Sequence, residues 1–178
     1  MKWYALSVIE GKEINVQKFL IDNLGNDIEE CLVPKKILRE KKSGKYHDAM
    51  KIIFKGYIFV KTNITKQLYY DFLSVPNVLY MVRPGLRKDT NKKEIEYFYE
   101  IPNKEIEWIL QLLDKDSILM PSKIAVNNRE VSIISGPLLN MDNCIKKIDK
   151  RKNRAKLEID ILGETKIITV GVEIITTS

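Results

Sequence analysis

Apolar and polar positions keep changing period along the first 115 residues and settle into one period afterwards. Residues 2–8 have the aromatic and branched content of a strand, which Gly11 ends. Over 13–24 the spacing becomes helical: Ile14, Gln17, Phe19-Leu20-Ile21 and Leu24 form a stripe, with Gly25 placed as a C-terminal stop. Residues 30–33 predict a short strand ending at Pro34. The polar stretch that follows, to about residue 51, holds Ser43-Gly44 and no apolar periodicity, so a mobile loop is expected. In Ile52-Ile53-Phe54-Lys55-Gly56-Tyr57-Ile58-Phe59-Val60 nearly every residue is β-branched or aromatic, which predicts a central strand. Asn63 is placed to cap a helix over 64–73, Pro76-Asn77 to turn the chain, and 78–82 to return as a strand before a polar loop over 83–93. Asn103 then caps a helix over 104–113, where Ile106, Trp108-Ile109-Leu110 and Leu112-Leu113 make one broad apolar face. This alternation predicts an α+β fold for residues 1–115, an α/β sandwich of helices on an antiparallel sheet.

Beyond residue 115 no helical period is seen. Residues 116–124, with Pro121 and Ser122, read as a linker. Residues 131–135, 144–149, 155–162 and 165–170 are closely spaced strand candidates, joined by Gly136-Pro137, by a basic turn and by Gly163. They predict a small all-β barrel over 125–178. Ile159, Ile161, Ile167, Ile168, Thr169 and Val170 are β-branched in dense runs, so strands and no helical state are expected there.

Composition narrows the function. At 178 residues with 44% hydrophobic content the chain is an ordinary folding sequence. No apolar stretch approaches the roughly 20 residues that cross a bilayer, and Met1-Lys2-Trp3-Tyr4 runs straight into a strand without a signal-peptide core. A cytoplasmic monomer without membrane contact is expected. Cys31 and Cys144 lie far apart among apolar residues, with no metal-ligand spacing, and are expected to be buried and reduced. Enzymes need a nucleophile with a base, a metal cluster or paired carboxylates. With a single histidine, His47, in a polar stretch and no Gly-rich phosphate loop, no catalytic residue, metal or cofactor is expected.

Lys and Arg exceed Asp and Glu by 30 to 24, a net charge of +6, which favours a polyanionic partner. The cations cluster over residues 35–51 and more densely over 146–156. In the second cluster Lys146, Lys147, Lys150, Arg151, Lys152, Arg154 and Lys156 have Asp149 as the only acid and would project together from a hairpin tip, with Asn153 and Arg154 offering directional hydrogen bonds. Two readings stand: contact with RNA, for which a hairpin in nascent transcript is the natural target, and a merely soluble surface. Arg83, Arg87, Lys88 and Lys123 would extend the patch if a ligand were shared.

Two segments resemble the NusG family of transcription elongation factors. In the first half they are Trp3-Tyr4 and Phe54-Lys55-Gly56-Tyr57-Ile58-Phe59-Val60, similar to the family's Phe-Pro-Gly-Tyr strand entry. In the second, residues 131–134 with Ser135-Gly136-Pro137-Leu138, then Ile145-Lys146-Lys147-Ile148-Asp149, Ala155-Lys156-Leu157 and Ile161-Leu162-Gly163, resemble the KOW module. The resemblance covers nearly the whole chain. It implies an NGN-like domain followed by a KOW (SH3-like) barrel. It also implies docking of the first domain on the clamp helices of the largest RNA polymerase subunit, with Trp3, Tyr4, Phe54, Tyr57 and Phe59 as candidates, about half of them structural. Residues 35–51 would face DNA, where nonspecific phosphate contact and simple solubility are both open. Lys55, Leu138 and Asn143 depart from the family's usual proline, phenylalanine and glycine. The phenylalanine is associated with docking to ribosomal protein or Rho, so those partnerships are not carried over. These departures resemble a dedicated paralogue such as the LoaP antiterminators. A general elongation factor without specific RNA binding and a KOW-type ribosomal RNA-binding protein are the alternatives, and the aromatic first domain argues against the second.

Overall fold

The computed structural model describes residues 1–83, 98–127, 130–139 and 141–175. The elements of the first half are β1 (Lys2–Val8), α1 (Glu13–Leu24), β2 (Ile28–Leu32), β3 (Lys35–Lys42), β4 (Lys45–Ile52), β5 (Tyr57–Thr62), α2 (Lys66–Ser74), β6 (Val78–Met81) and α3 (Asn103–Leu112). They are followed by β7 (Ile118–Leu119), β8 (Ser122–Asn127), β9 (Glu130–Ser135), β10 (Ile145–Asp149), β11 (Arg154–Ile161) and β12 (Glu164–Ile175). The chain forms two compact units. One holds Met1–Val33, Phe54–Glu107 and Ile161–Glu164; the other holds Pro34–Ile53, Trp108–Asp160 and Thr165–Ser178.

The first unit is built on the antiparallel sheet β2-β5-β1-β6. After Lys2 every side chain of β1 is buried, which requires cover on both faces and explains why Trp3-Tyr4-Ala5-Leu6 shows no polar alternate. The long apolar run over 52–60 is not one strand. β4 ends at Ile52 and β5 begins at Tyr57, because the chain turns through Gly56 at φ +76°, a left-handed conformation that favours glycine. β5 is interior, as expected.

Helix α1 has the expected limits but shows a different face to the core. Glu13, Val16 and Leu20 are buried, whereas Ile14, Phe19 and Ile21 are exposed. Two polar anchors fix this rotation: the Gln17 amide donates to the Cys31 carbonyl at 2.7 Å, and Glu13 Oε1 accepts the Gly56 N–H at 2.7 Å. Helix α2 starts later than expected, since Thr65 and not Asn63 is its cap, accepting the Leu68 N–H at 3.1 Å.

In the second unit the segment expected to be a mobile loop is a regular hairpin, β3 with β4. Ser43 and Gly44 have φ of 49° and 80°, as a tight two-residue turn needs when its twist must match the strands. The alternation was hidden because Lys36 shares the buried side with Leu38. β3 also pairs in parallel with β7, giving the sheet β4-β3-β7. The remaining strands form the sheet β10-β11-β12-β8-β9, in which β8 runs parallel to β12 and antiparallel to β9. Residues 116–124, read as a linker, carry β7 and the start of β8.

Two glycines set the close approaches in this unit. A Cβ on Gly171 of β12 would lie 2.5 Å from the Ile37 carbonyl oxygen of β3, so the hairpin backbone rests directly against β12. A Cβ on Gly136 would lie 2.8 Å from Ser122 Cα, and the fully buried Ser122 hydroxyl accepts the Leu138 N–H at 3.0 Å. The fold is thus an α/β unit with an all-β second set of strands, the class expected from the sequence.

Candidate nucleic-acid interface

The basic segment is the β10–β11 hairpin. Asp149 pairs with Arg154 across its end, and the turn is held by Asp149 Oδ1, which accepts the Lys152 N–H at 3.0 Å. Asn153 closes it at φ 52°, and its carbonyl accepts the Val172 N–H of β12 at 3.0 Å. The Asp149 carboxylate that neutralises the tip on paper is therefore committed to the backbone.

The cations do not all project as one group with a single acid. Lys146 pairs with Glu158 at 2.9 Å, and this hydrogen bond and charge raise its pKa. Arg154 lies 3.7 Å from Glu40 of β3. Glu158 and Glu40 thus join Asp149 beside the cluster, which corrects the expectation of a single acid. The other cations are less compensated. Lys147 sits directly opposite Lys156 in the ladder, both exposed, and like charges facing each other across strands repel. Lys150, Arg151 and Lys152 are exposed at the turn.

Arg151, Lys152, Asn153 and Arg154 form one wall of a cleft of about 520 Å3, and Arg39, Glu40, Lys41 and Tyr46 of the β3–β4 hairpin form the other. The Tyr46 ring is 61% exposed, with the Arg39 guanidinium 5.3 Å and the Lys41 ammonium 5.8 Å from its centre. Nε of Arg154 is buried and has no hydrogen-bond partner among the described residues. Tyr46 escaped the sequence reading; the available signal was an aromatic beside a Ser-Gly turn in an otherwise polar, cationic stretch. His47 is exposed on β4. Lys123 lies exposed on β8 and does not line the cleft, Arg83 belongs to the first unit, and Arg87 and Lys88 lie outside the described residues.

Of the five aromatics expected to meet a polymerase, Trp3, Tyr4, Phe54 and Phe59 are 6, 6, 5 and 0% exposed. Phe54 and Phe59 pack edge to face at 5.5 Å. Such side chains have almost no area to offer a partner in this conformation, because the central strands need them on both faces. Tyr57 is half-buried. The pairing registers put it in a row with Ser7 and Tyr80, and Tyr80 at the sheet edge is exposed. Leu138 is likewise interior at 1% exposure, while its neighbour Leu139 is exposed.

Among the described residues no cluster of His, Cys, Asp and Glu is placed to hold a metal, and no helix is long and apolar enough to cross a membrane. A family profile described as "Transcription termination factor nusG" matches residues 1–110. The transcription termination/antitermination protein NusG of Helicobacter pylori strain J99 is 26% identical over 177 residues, covering 96% of this chain and 94% of that protein. The NusG of Campylobacter jejuni is 25% identical over 170 residues, covering 92% and 90%. A solved structure described as domain interaction in Thermotoga maritima NusG shares the fold, with a TM-score of 0.54 at 22% identity over 96% of this chain and 93% of that one.

The chain belongs to the NusG family. Residues 1–110 carry the NGN-like α/β fold and the C-terminal strands an all-β fold consistent with a KOW domain. It is accordingly a transcription termination/antitermination factor, and members of this family are not enzymes.

Proposed function

We propose that this protein is a specialised antitermination and processivity factor, of the kind the LoaP group represents, which binds RNA polymerase with its first unit and structured nascent RNA with the β10–β11 hairpin. The observation that carries the RNA reading is the Lys147–Lys156 pair beside the exposed Lys150, Arg151 and Lys152. Facing cations in a ladder are a standing repulsion, and a phosphate between them removes it while releasing counterions. On the first unit, Tyr57 and the exposed Tyr80 in one row are the contact we assign to the clamp helices of the largest subunit, with the buried Trp3, Tyr4, Phe54 and Phe59 shaping the sheet beneath. Bridging the clamp opposes its opening and suppresses pausing without any bond being made or broken. The cationic β3–β4 hairpin is suited to DNA phosphates.

The test is binding to structured leader RNAs and to a scrambled control across a salt series, with Lys147, Lys150 and Arg151 changed to Ala. Sequence-dependent binding that weakens in the variant, with the salt slope falling by about 0.7 to 0.9 per lost phosphate contact, supports this reading. Binding that ignores both sequence and substitution supports a general elongation factor instead.

A further inference from the structure

We propose that the cleft between the β3–β4 hairpin and the turn after β10 seats one unstacked nucleotide of the RNA, its base on the Tyr46 ring and its phosphate on Arg151, Lys152 and Arg154. The proposal rests on the RNA-binding reading above and adds to it a base-contacting residue on a different hairpin. A basic turn alone gives electrostatic affinity without selecting paired or unpaired RNA, whereas a ring set among cations offers a stacking surface with phosphate ligands alongside.

Three observations converge on this cleft. First, Tyr46 contributes little to a core: it is 61% exposed, and the cations Arg39 and Lys41 lie 5.3 and 5.8 Å from its ring centre. Second, Arg154 is held at the cleft wall by Glu40, itself braced by Lys51 at 3.3 Å. Glu40 also places one negative charge in the cleft, which disfavours crowding by several phosphates. Third, both walls are fixed by two consecutive residues of β12: Gly171 lets the Ile37 carbonyl of β3 approach, and the Val172 N–H binds the Asn153 carbonyl. The cleft is therefore preorganised, and its volume of about 520 Å3 falls in the usual range for small-ligand sites.

The experiment uses the full-length protein and a hairpin RNA carrying 2-aminopurine as a single bulged nucleotide, alongside the same RNA fully paired. The bulged RNA is expected to bind more tightly and to lose fluorescence as its base stacks. Tyr46→Ala should abolish the fluorescence change and weaken binding of the bulged RNA by roughly five- to 150-fold, leaving the paired RNA and the thermal midpoint unchanged. Tyr46→Phe should keep both signals. Unaltered quenching and affinity in Tyr46→Ala, with Lys147→Ala and Lys150→Ala still weakening binding, would overturn the nucleotide site and leave the RNA reading standing. Failure of the wild-type protein to bind either RNA would overturn both.

Discussion

Glu13 and Gly56 are joined by a 2.7 Å hydrogen bond from the glycine N–H to the buried Glu13 carboxylate. It ties the first turn of α1 to the bend that separates β4 from β5, and so sets both the rotation of the helix and the entry of the central strand. Glu13→Ala removes the acceptor of the half-buried Gly56 N–H and should lower unfolding free energy by about 1 kcal/mol or more. Glu13→Gln keeps an acceptor oxygen and should lose less. Urea denaturation of both variants checks this, and equal loss in the two would show that hydrogen bonding at Gly56 is not what matters.

Gly136 meets Ser122 with no room for a methyl group and has φ +102°. Gly136→Ala should destabilise by more than about 1 kcal/mol, read as a fall in the denaturation midpoint. Ser122→Ala, which only removes the acceptor for the Leu138 N–H, should cost about 1 kcal/mol.

Burial pushes the Cys31 thiol up to about 12. Alkylation of Cys31 in the native protein at pH 8 should therefore be on the order of a hundredfold slower than in the urea-unfolded chain. The sign for stability follows. The folded state holds its proton where the unfolded thiol, with an ordinary value of 9.0, has lost it, so this contribution is complete below pH 9 and is lost as pH rises towards 12. A Cys31→Ser variant should show a shallower loss of stability over that window.

Glu158 draws Lys146 away from solvent phosphate. Glu158→Gln should strengthen RNA binding and steepen its salt dependence by up to about 0.7 to 0.9, one phosphate contact, with no measurable change in the thermal midpoint because the pair is exposed. Titration at two or more salt concentrations separates these effects.

The elements with strong apolar content were legible in the chain. α1, β1 and the strands β9 to β12 occur close to where periodicity puts them, whereas β7 and β8 begin in the stretch read as a linker and β5 starts only after the Gly56 bend. What the sequence hid depends on partners distant along it. The 13–24 stripe pointed to Ile14 and Ile21, but Glu13 and Gln17 turned the helix because the donor for Glu13 lies at Gly56 and the acceptor for Gln17 at Cys31. The β3–β4 hairpin was hidden because Lys36 occupies a buried position that an apolar pattern would give to a hydrophobe. The basic cluster was visible as charge, but neither the Lys147–Lys156 opposition nor Glu40 beside Arg154 could be read without the register and the hairpin. Nor could Tyr46, since an isolated tyrosine in a polar stretch gains meaning only from what faces it.

The contact of Ile37 with Gly171, together with the pairing of Lys35 and Lys36 to Ile118 and Leu119, bears on how this protein can be taken apart. The twenty residues from Pro34 to Ile53 leave the first unit, join the second and return at Phe54. A fragment beginning near residue 116 would be cut away from β3, leaving a bare groove beside Gly171 and an open edge at β7, and open strand edges invite association with other chains. Separating the two units cleanly requires rerouting the chain, for instance by grafting residues 34–53 onto the C-terminal piece, and not simply shortening it.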